Sequence, residues 1–390
     1  MRVLVLTDDL VGPSMAGSAL RAWELSRVLL NAGHEVLLSG AAGSSHPEGH
    51  GPPVVTKPPW RWADAVLSPP WCLPPRAFLG NHLLVIDGVT PLLAELSASP
   101  STPEIVRRHR TAGARLPLVV SRADAILVAG DEQAEWWSAQ LAGRKDVPLI
   151  HVPFGIPDTD PATDIDRIDG VPVGWSVVLW WGGVWPWLDL DTLLAARARL
   201  GSAKISVVVP TAERPGSSTS LTTDDLEAAG ARHGLQRPAI VPLERWVPYA
   251  ERHRILNRSA VLAVLHRPGP ETTLSFRTRA LEGVWAAVPL LLSEGGAASD
   301  IANREGWGAV VPPGNAKLIA AALDVLLAER SQERCRAVLT EARDDWRWSV
   351  VAQPLVEALP EISSDTRRSL VPASLRAAAV LAGRSPESGP

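Results

Sequence analysis

One pattern constrains this chain more than any other, and it occurs twice. Short, unbroken apolar runs rich in Val, Leu and Ile alternate with helical stretches: RVLVLT (2–7), GHEVLLSG (33–40), DAVLS (64–68), HLLVID (82–87), DAILVA (124–129) and PLIHVP (148–153). A strand with one face in water would alternate apolar and polar residues. Strands that are apolar throughout are buried on both faces, and alternation with helices makes the sheet parallel. The run PFGIPDTDPATDIDRIDGVPVG (153–174) then interrupts the pattern with Pro, Asp and Gly and carries no hydrophobic period. Beyond it the alternation restarts with strands at 175–181, 204–210, 239–243, 260–266, 289–293 and 308–312, and with a helix expected at 277–287. A chain of 390 residues exceeds what one core usually serves, so two α/β domains are expected. The first is placed at 1–155 and the second at 156–350. Residues 351–390 read as a C-terminal helix that packs back on the first domain, followed by a frayed tail ending in RSPESGP.

Charge and composition remove several classes of function. With 38 Lys and Arg against 42 Asp and Glu, and no basic stripe, the chain lacks the electrostatic footprint of a nucleic-acid binder. No apolar run approaches the roughly 18–20 residues of a membrane span, and MRVLVLTDD turns acidic too early for a secretory signal, so a cytoplasmic protein is expected. Cys72 and Cys335 fit neither a disulfide framework nor a zinc site. His109, His151 and His266 have no metal-like spacing and HExxH is absent, so no metal is expected. No GxSxG elbow or nucleophilic triad is legible. Sparse lysine beside abundant Arg, Ala, Pro and Trp matches a GC-rich bacterial coding sequence.

Three loops carry candidate chemistry. In DDLVGPSMAGSALRAWELSRVL (8–29), Gly12 and Gly17 frame small residues where backbone amides at a helix start can approach a ligand. Its spacing is not GxGxxG, which disfavours a nicotinamide site. In LWWGGVWPWLDLDTLL (179–194), Gly182 and Gly183 follow a strand and expose N–H groups, and Trp185 and Trp187 offer faces for a sugar or base. In HRPGPETTLSFRTRALEGVWAAVPLLLSEGG (266–296), Arg277 and Arg279 stand in the expected first helical turn, where the dipole favours acidic side chains. An anion docked there repays them, and a diphosphate would serve. A surface pair of Arg279 with Glu282 is the simpler reading of the same spacing. Asp87, at a strand C-terminus, is a candidate to hold substrate hydroxyls or to cap a turn.

Taken in order, GPSMAGSALRAWELSRVL, WWGGVWPWLD, WVPYAERH, SFRTRALEGVWAAVPLLLSEGG and GWGAVVPPGN resemble GT-B glycosyltransferases of the family 4 type over about residues 1–350. The resemblance implies two Rossmann-like α/β domains facing across a cleft, and transfer of a sugar from a nucleoside-diphosphate sugar with retention and without a metal. Combined with the loop readings above, it leads to an expectation of donor binding by Gly182, Gly183, Trp185, Val247, Arg277, Arg279 and Glu282, and of acceptor binding by Gly12, Met15, Gly17 and Asp87. Catalytic roles fall to Arg277, Arg279 and Asp87. Glu282 matches the second glutamate of the family's E-x7-E motif, which holds the ribose. The first position is Leu274 here, with Glu271 three residues earlier, and the family's diphosphate-clamping Arg and Lys are replaced by Gly183 and Leu188. The expected acceptor is a soluble small molecule or natural product. Coupling of an activated cyclitol or an amine acceptor, and a non-catalytic nucleotide- or glycan-binding partner, remain as alternatives.

Overall fold

The computed structural model describes residues 1–47, 49–213 and 221–366. They form two compact units, Met1–Phe154 with residues 348–366, and Gly155–Arg347. The expected frayed end, residues 367–390, lies outside the described residues.

The first unit is built on seven strands: β1 Arg2–Leu6, β2 Glu35–Ser39, β3 Val54–Val55, β4 Ala65–Ser68, β5 Leu83–Asp87, β6 Ala125–Val128 and β7 Leu149–His151. Every pairing is parallel, in the order β3-β2-β1-β4-β5-β6-β7. Buried Leu4, Leu6, Val66, Leu84, Ile86, Ile126 and Val128 form its core, each contributing roughly 1.5–3 kcal/mol by leaving water. The chain returns to this unit at Trp348, whose ring lies 5.1 Å from that of Phe154, and the final helix Gln353–Thr366 packs on β7.

Six strands make the second sheet: β8 Ser176–Trp180, β9 Ile205–Pro210, β10 Ile240–Leu243, β11 Val261–Val264, β12 Leu290–Ser293 and β13 Gly308–Val311. They too are all parallel, in the order β10-β9-β8-β11-β12-β13. Val177, Val178, Leu179 and Trp180 are completely buried, the outcome an uninterrupted apolar strand requires. The Asp-rich run after residue 155 is anchored on this unit. Asp164 accepts from His253 Nε2 at 2.7 Å, Arg347 donates to the Asp158 carbonyl at 2.7 Å, and Trp285 Nε1 donates to the Thr159 carbonyl at 2.9 Å.

In both sheets the strand order reverses about the first strand, between β1 and β4 and between β8 and β11. Successive connections leave on opposite faces at such a point, and the crevice beyond the strand C-termini is where open α/β sheets take ligands. In the second unit that crevice is bordered by Gly182–Gly183, after β8, and by His266, after β11.

Candidate functional site

The loop after β8 is held in place by the one after β11. Leu188 forms an antiparallel bridge with His266, and the Arg267 N–H donates to the Trp187 carbonyl at 2.8 Å. Gly182 sits at φ +82°, a region closed to most side chains, and a Cβ there would stand 3.3 Å from Arg279 Nε. Glycine therefore lets the guanidinium lie against the loop. Arg279 Nη2 donates to the Gly183 carbonyl at 2.6 Å, and its guanidinium carbon lies 5.9 Å from the Trp180 ring. That is the only hydrogen bond of this guanidinium among the described residues, and the N–H groups of Gly182, Gly183 and Val184 have no partner among them. Trp185 and Trp187 stack at 5.7 Å with an 11° tilt over the same loop.

The helix expected at 277–287 begins at Arg279 and ends at Ala286, with Thr278 as its N-cap. Arg277 precedes it at φ +36°. The reason is where its side chain goes. The buried guanidinium donates through Nη1 to the Ser293 carbonyl and through Nη2 to the Glu294 carbonyl at 3.1 Å, at the end of β12, while its buried Nε has no partner among the described residues. Carbonyls beyond a strand end thus receive Arg277, and the main chain bends to let it reach them. Burial pushes both arginines down, each to about 10, so both remain charged at neutral pH.

Between them lies a pair that spacing alone did not reveal. The segment read as a polar loop contains one helical turn, Pro270–Leu274, which carries Glu271 inward. His266 Nδ1 and Glu271 Oε2 are 2.9 Å apart, with side chains only 4% and 2% exposed. Burial pushes the Glu271 carboxyl up to about 7, against the opposing pull of Ser275, Arg277 and Arg279. Burial, reinforced by Arg277 and Arg279, holds His266 well below its ordinary 6.5. The signal in the sequence was a His and a Glu five residues apart at a strand end; an intervening Pro-Gly-Pro argued for a loop.

Glu282 does not pair with Arg279. It accepts from Arg252 Nε at 2.8 Å, another residue missed from sequence. Val247 is buried just before this group, on the loop that follows β10.

The first unit treats its candidates differently. Both oxygens of Asp87 accept from Arg21 Nε, at 3.0 and 2.8 Å, and Arg21 also donates to the carbonyls of Pro153 and Val152, each at 2.9 Å. The charge of Asp87 is thereby compensated within the unit. Gly12 faces Ser45, where a Cβ would stand 3.2 Å from Oγ, and Met15 is buried. Gly17 opens the helix Gly17–Asn31, which has no side-chain cap and free space beside that glycine. Asp9 accepts from Ser18 Oγ nearby. Among the described residues there is no group of three or more His, Cys, Asp or Glu able to hold a metal, and no helix long and apolar enough to cross a membrane.

Solved structures similar to this one are GT-B glycosyltransferases. Sucrose-phosphate synthase from Thermosynechococcus elongatus is 14% identical over 93% of this chain and 99% of its own, with a TM-score of 0.71. The Anabaena protein HepE, solved with UDP-glucose, is 14% identical over 93% of this chain and all of its own, with a TM-score of 0.64. WaaG, a glycosyltransferase of lipopolysaccharide biosynthesis, is 13% identical over 91% of this chain and 98% of its own, at 0.60. No family model matches the chain, and no curated protein matches it in sequence. The fold is GT-B: two Rossmann-like α/β units, as the sequence pattern implies.

Proposed function

We propose that this protein is a glycosyltransferase that moves a sugar, with retention and without a metal, from a nucleoside-diphosphate sugar to a small soluble acceptor. The observation that carries this reading is the Arg279 guanidinium lying against Gly182 and Gly183 at the switch point of the second sheet, with open donors on both the side chain and the loop amides. HepE, which shares the fold, was solved in complex with UDP-glucose, which supports the choice of donor class.

The roles follow from which donors are free. Arg279 contacts the diphosphate together with the Gly182 and Gly183 amides, guanidinium on one side and main chain on the other. Arg277 directs both Nη atoms at the carbonyls beyond β12 and is buried, so it acts through its charge rather than by contact. Such fixed positive charge stabilises the diphosphate as it leaves and gains negative charge. Glu282 accepts the ribose hydroxyls, Val247 borders the base, and Trp185 packs against the sugar. No protein nucleophile is needed: the departing diphosphate oxygen takes the acceptor's proton on the face where the new bond forms, and the protein contributes position and field. Gly12, Met15 and Gly17 border the acceptor, while Asp87, held by Arg21, organises that region rather than abstracting a proton.

The test incubates the purified protein with a panel of UDP-, GDP-, ADP- and dTDP-sugars and small-molecule acceptors. Release of nucleoside diphosphate and an anomeric configuration preserved in the NMR spectrum of the product are expected. No binding of any nucleotide-sugar by calorimetry sinks the reading.

A further inference from the structure

We propose that Arg252 is a positioning residue for the nucleotide's ribose, acting by locking the Glu282 carboxylate in one orientation. This deepens the function proposed above and rests on it. The Arg252 guanidinium lies between two aromatic rings, 3.7 Å from the centroid of Tyr249 and 3.8 Å from that of Trp285. A cation between two ring faces is attracted from both sides, and a planar guanidinium in such a slot keeps its plane. Within that plane Nη1 donates to the Tyr249 carbonyl at 2.6 Å and Nε to Glu282 Oε2 at 2.8 Å. The slot is itself braced. Trp285 Nε1 donates to the Thr159 carbonyl at 2.9 Å, and His253 packs edge-on to the indole at 6.4 Å.

The consequence for Glu282 is geometric. Its side chain is 17% exposed, and one oxygen is pinned while the other has no hydrogen-bond partner among the described residues. A carboxylate offers about four lone-pair directions, so Arg252 uses one and leaves the rest available for hydroxyl donors. Without Arg252 the carboxylate would lose the donor that fixes its plane and would turn freely. A vicinal diol, presenting two O–H donors at fixed separation, is the partner that rewards a carboxylate held in this way. Arg252 therefore acts on recognition of the diol and not on the diphosphate, which the Arg279 loop holds.

Calorimetry with UDP, GDP and ADP, each beside its 2′-deoxy counterpart, tests this on the full chain. For the best-binding base, the wild type is expected to prefer the ribo form by about tenfold or more, the usual effect of losing a hydrogen bond to a charged group. Arg252→Met, which keeps the apolar stem, is expected to weaken the ribo form to the level of the deoxy form and leave the deoxy affinity within about twofold. Glu282→Gln is expected to reduce the same preference, and Arg252→Lys to restore part of it. A thermal melt confirms that each variant is folded. Equal losses for both forms in Arg252→Met, or a ribo preference that survives it, overturn the inference while leaving nucleotide binding intact. Absence of any nucleoside diphosphate binding to the wild type overturns the function itself.

Discussion

The two units bury arginines at the C-terminal edges of similar parallel sheets, yet they treat the charge in opposite ways. In the first, Arg21 meets both oxygens of Asp87 and two carbonyls, so its charge is balanced by a carboxylate and each of its three nitrogens donates to the protein. In the second, Arg277 and Arg279 rest on the carbonyls of Ser293, Glu294 and Gly183, and the acid whose charge acts on both, Glu271, is shared with His266 and pushed towards neutrality. A buried charge needs compensation. One site completes it within the protein; the other leaves room for an anion to do so. The contrast separates a structural ion pair from the proposed donor site more clearly than burial alone.

The largest expected effect breaks the closed side of this comparison. Arg21→Met strands the Asp87 carboxylate at a site where it is only 12% exposed, which should cost about 3–5 kcal/mol in urea unfolding. Adding Asp87→Asn should recover part of that loss, because the uncompensated charge is gone. Full activity with unchanged stability in Arg21→Met would mean that the pair is dispensable. On the open side, Arg279→Met should weaken the best-bound nucleotide-sugar by about 100-fold, or ~2.7 kcal/mol, with little change in melting temperature. If affinity is unchanged, the second site is as closed as the first.

A smaller effect concerns pH. Glu271 is ionised above about 7 and then offsets the field of Arg279; below about 7 it is neutral. Nucleotide-sugar affinity should therefore rise about threefold to tenfold as pH falls from about 8 to about 6, a range in which the diphosphate diester does not titrate. Glu271→Gln should hold the tighter value at every pH. Stability is a poorer readout because two contributions oppose. Folding keeps a proton on Glu271 between its ordinary 4.5 and about 7, so that group lowers stability as pH rises through this window. His266, held neutral, lowers stability as pH falls below 6.5. The smallest effect is at the stacked indoles, where Trp185→Ala should reduce nucleotide-sugar affinity by about fivefold, or ~1 kcal/mol.

Much of this architecture was legible because it is written in local terms. Unbroken apolar runs such as SVVLW and LLLS are possible only as strands covered on both faces, and alternation with helices leaves little but a parallel sheet. The glycine loop at Gly182 and Gly183, after a strand, was legible in the same way, whereas the first helical turn expected to hold both Arg277 and Arg279 holds only Arg279, because Arg277 turns back to the carbonyls of Ser293 and Glu294. The partner of each charge was decided only by tertiary structure. Arg21 and Asp87 are 66 residues apart, Arg252 and Glu282 are 30 apart, and Arg279 reaches a carbonyl 96 residues away. Hydrophobic periodicity reports which face of an element is buried, so it can foresee a sheet. It says nothing about which donor meets which acceptor across that sheet, because such pairing depends on angles and distances that exist only once the chain has closed on itself.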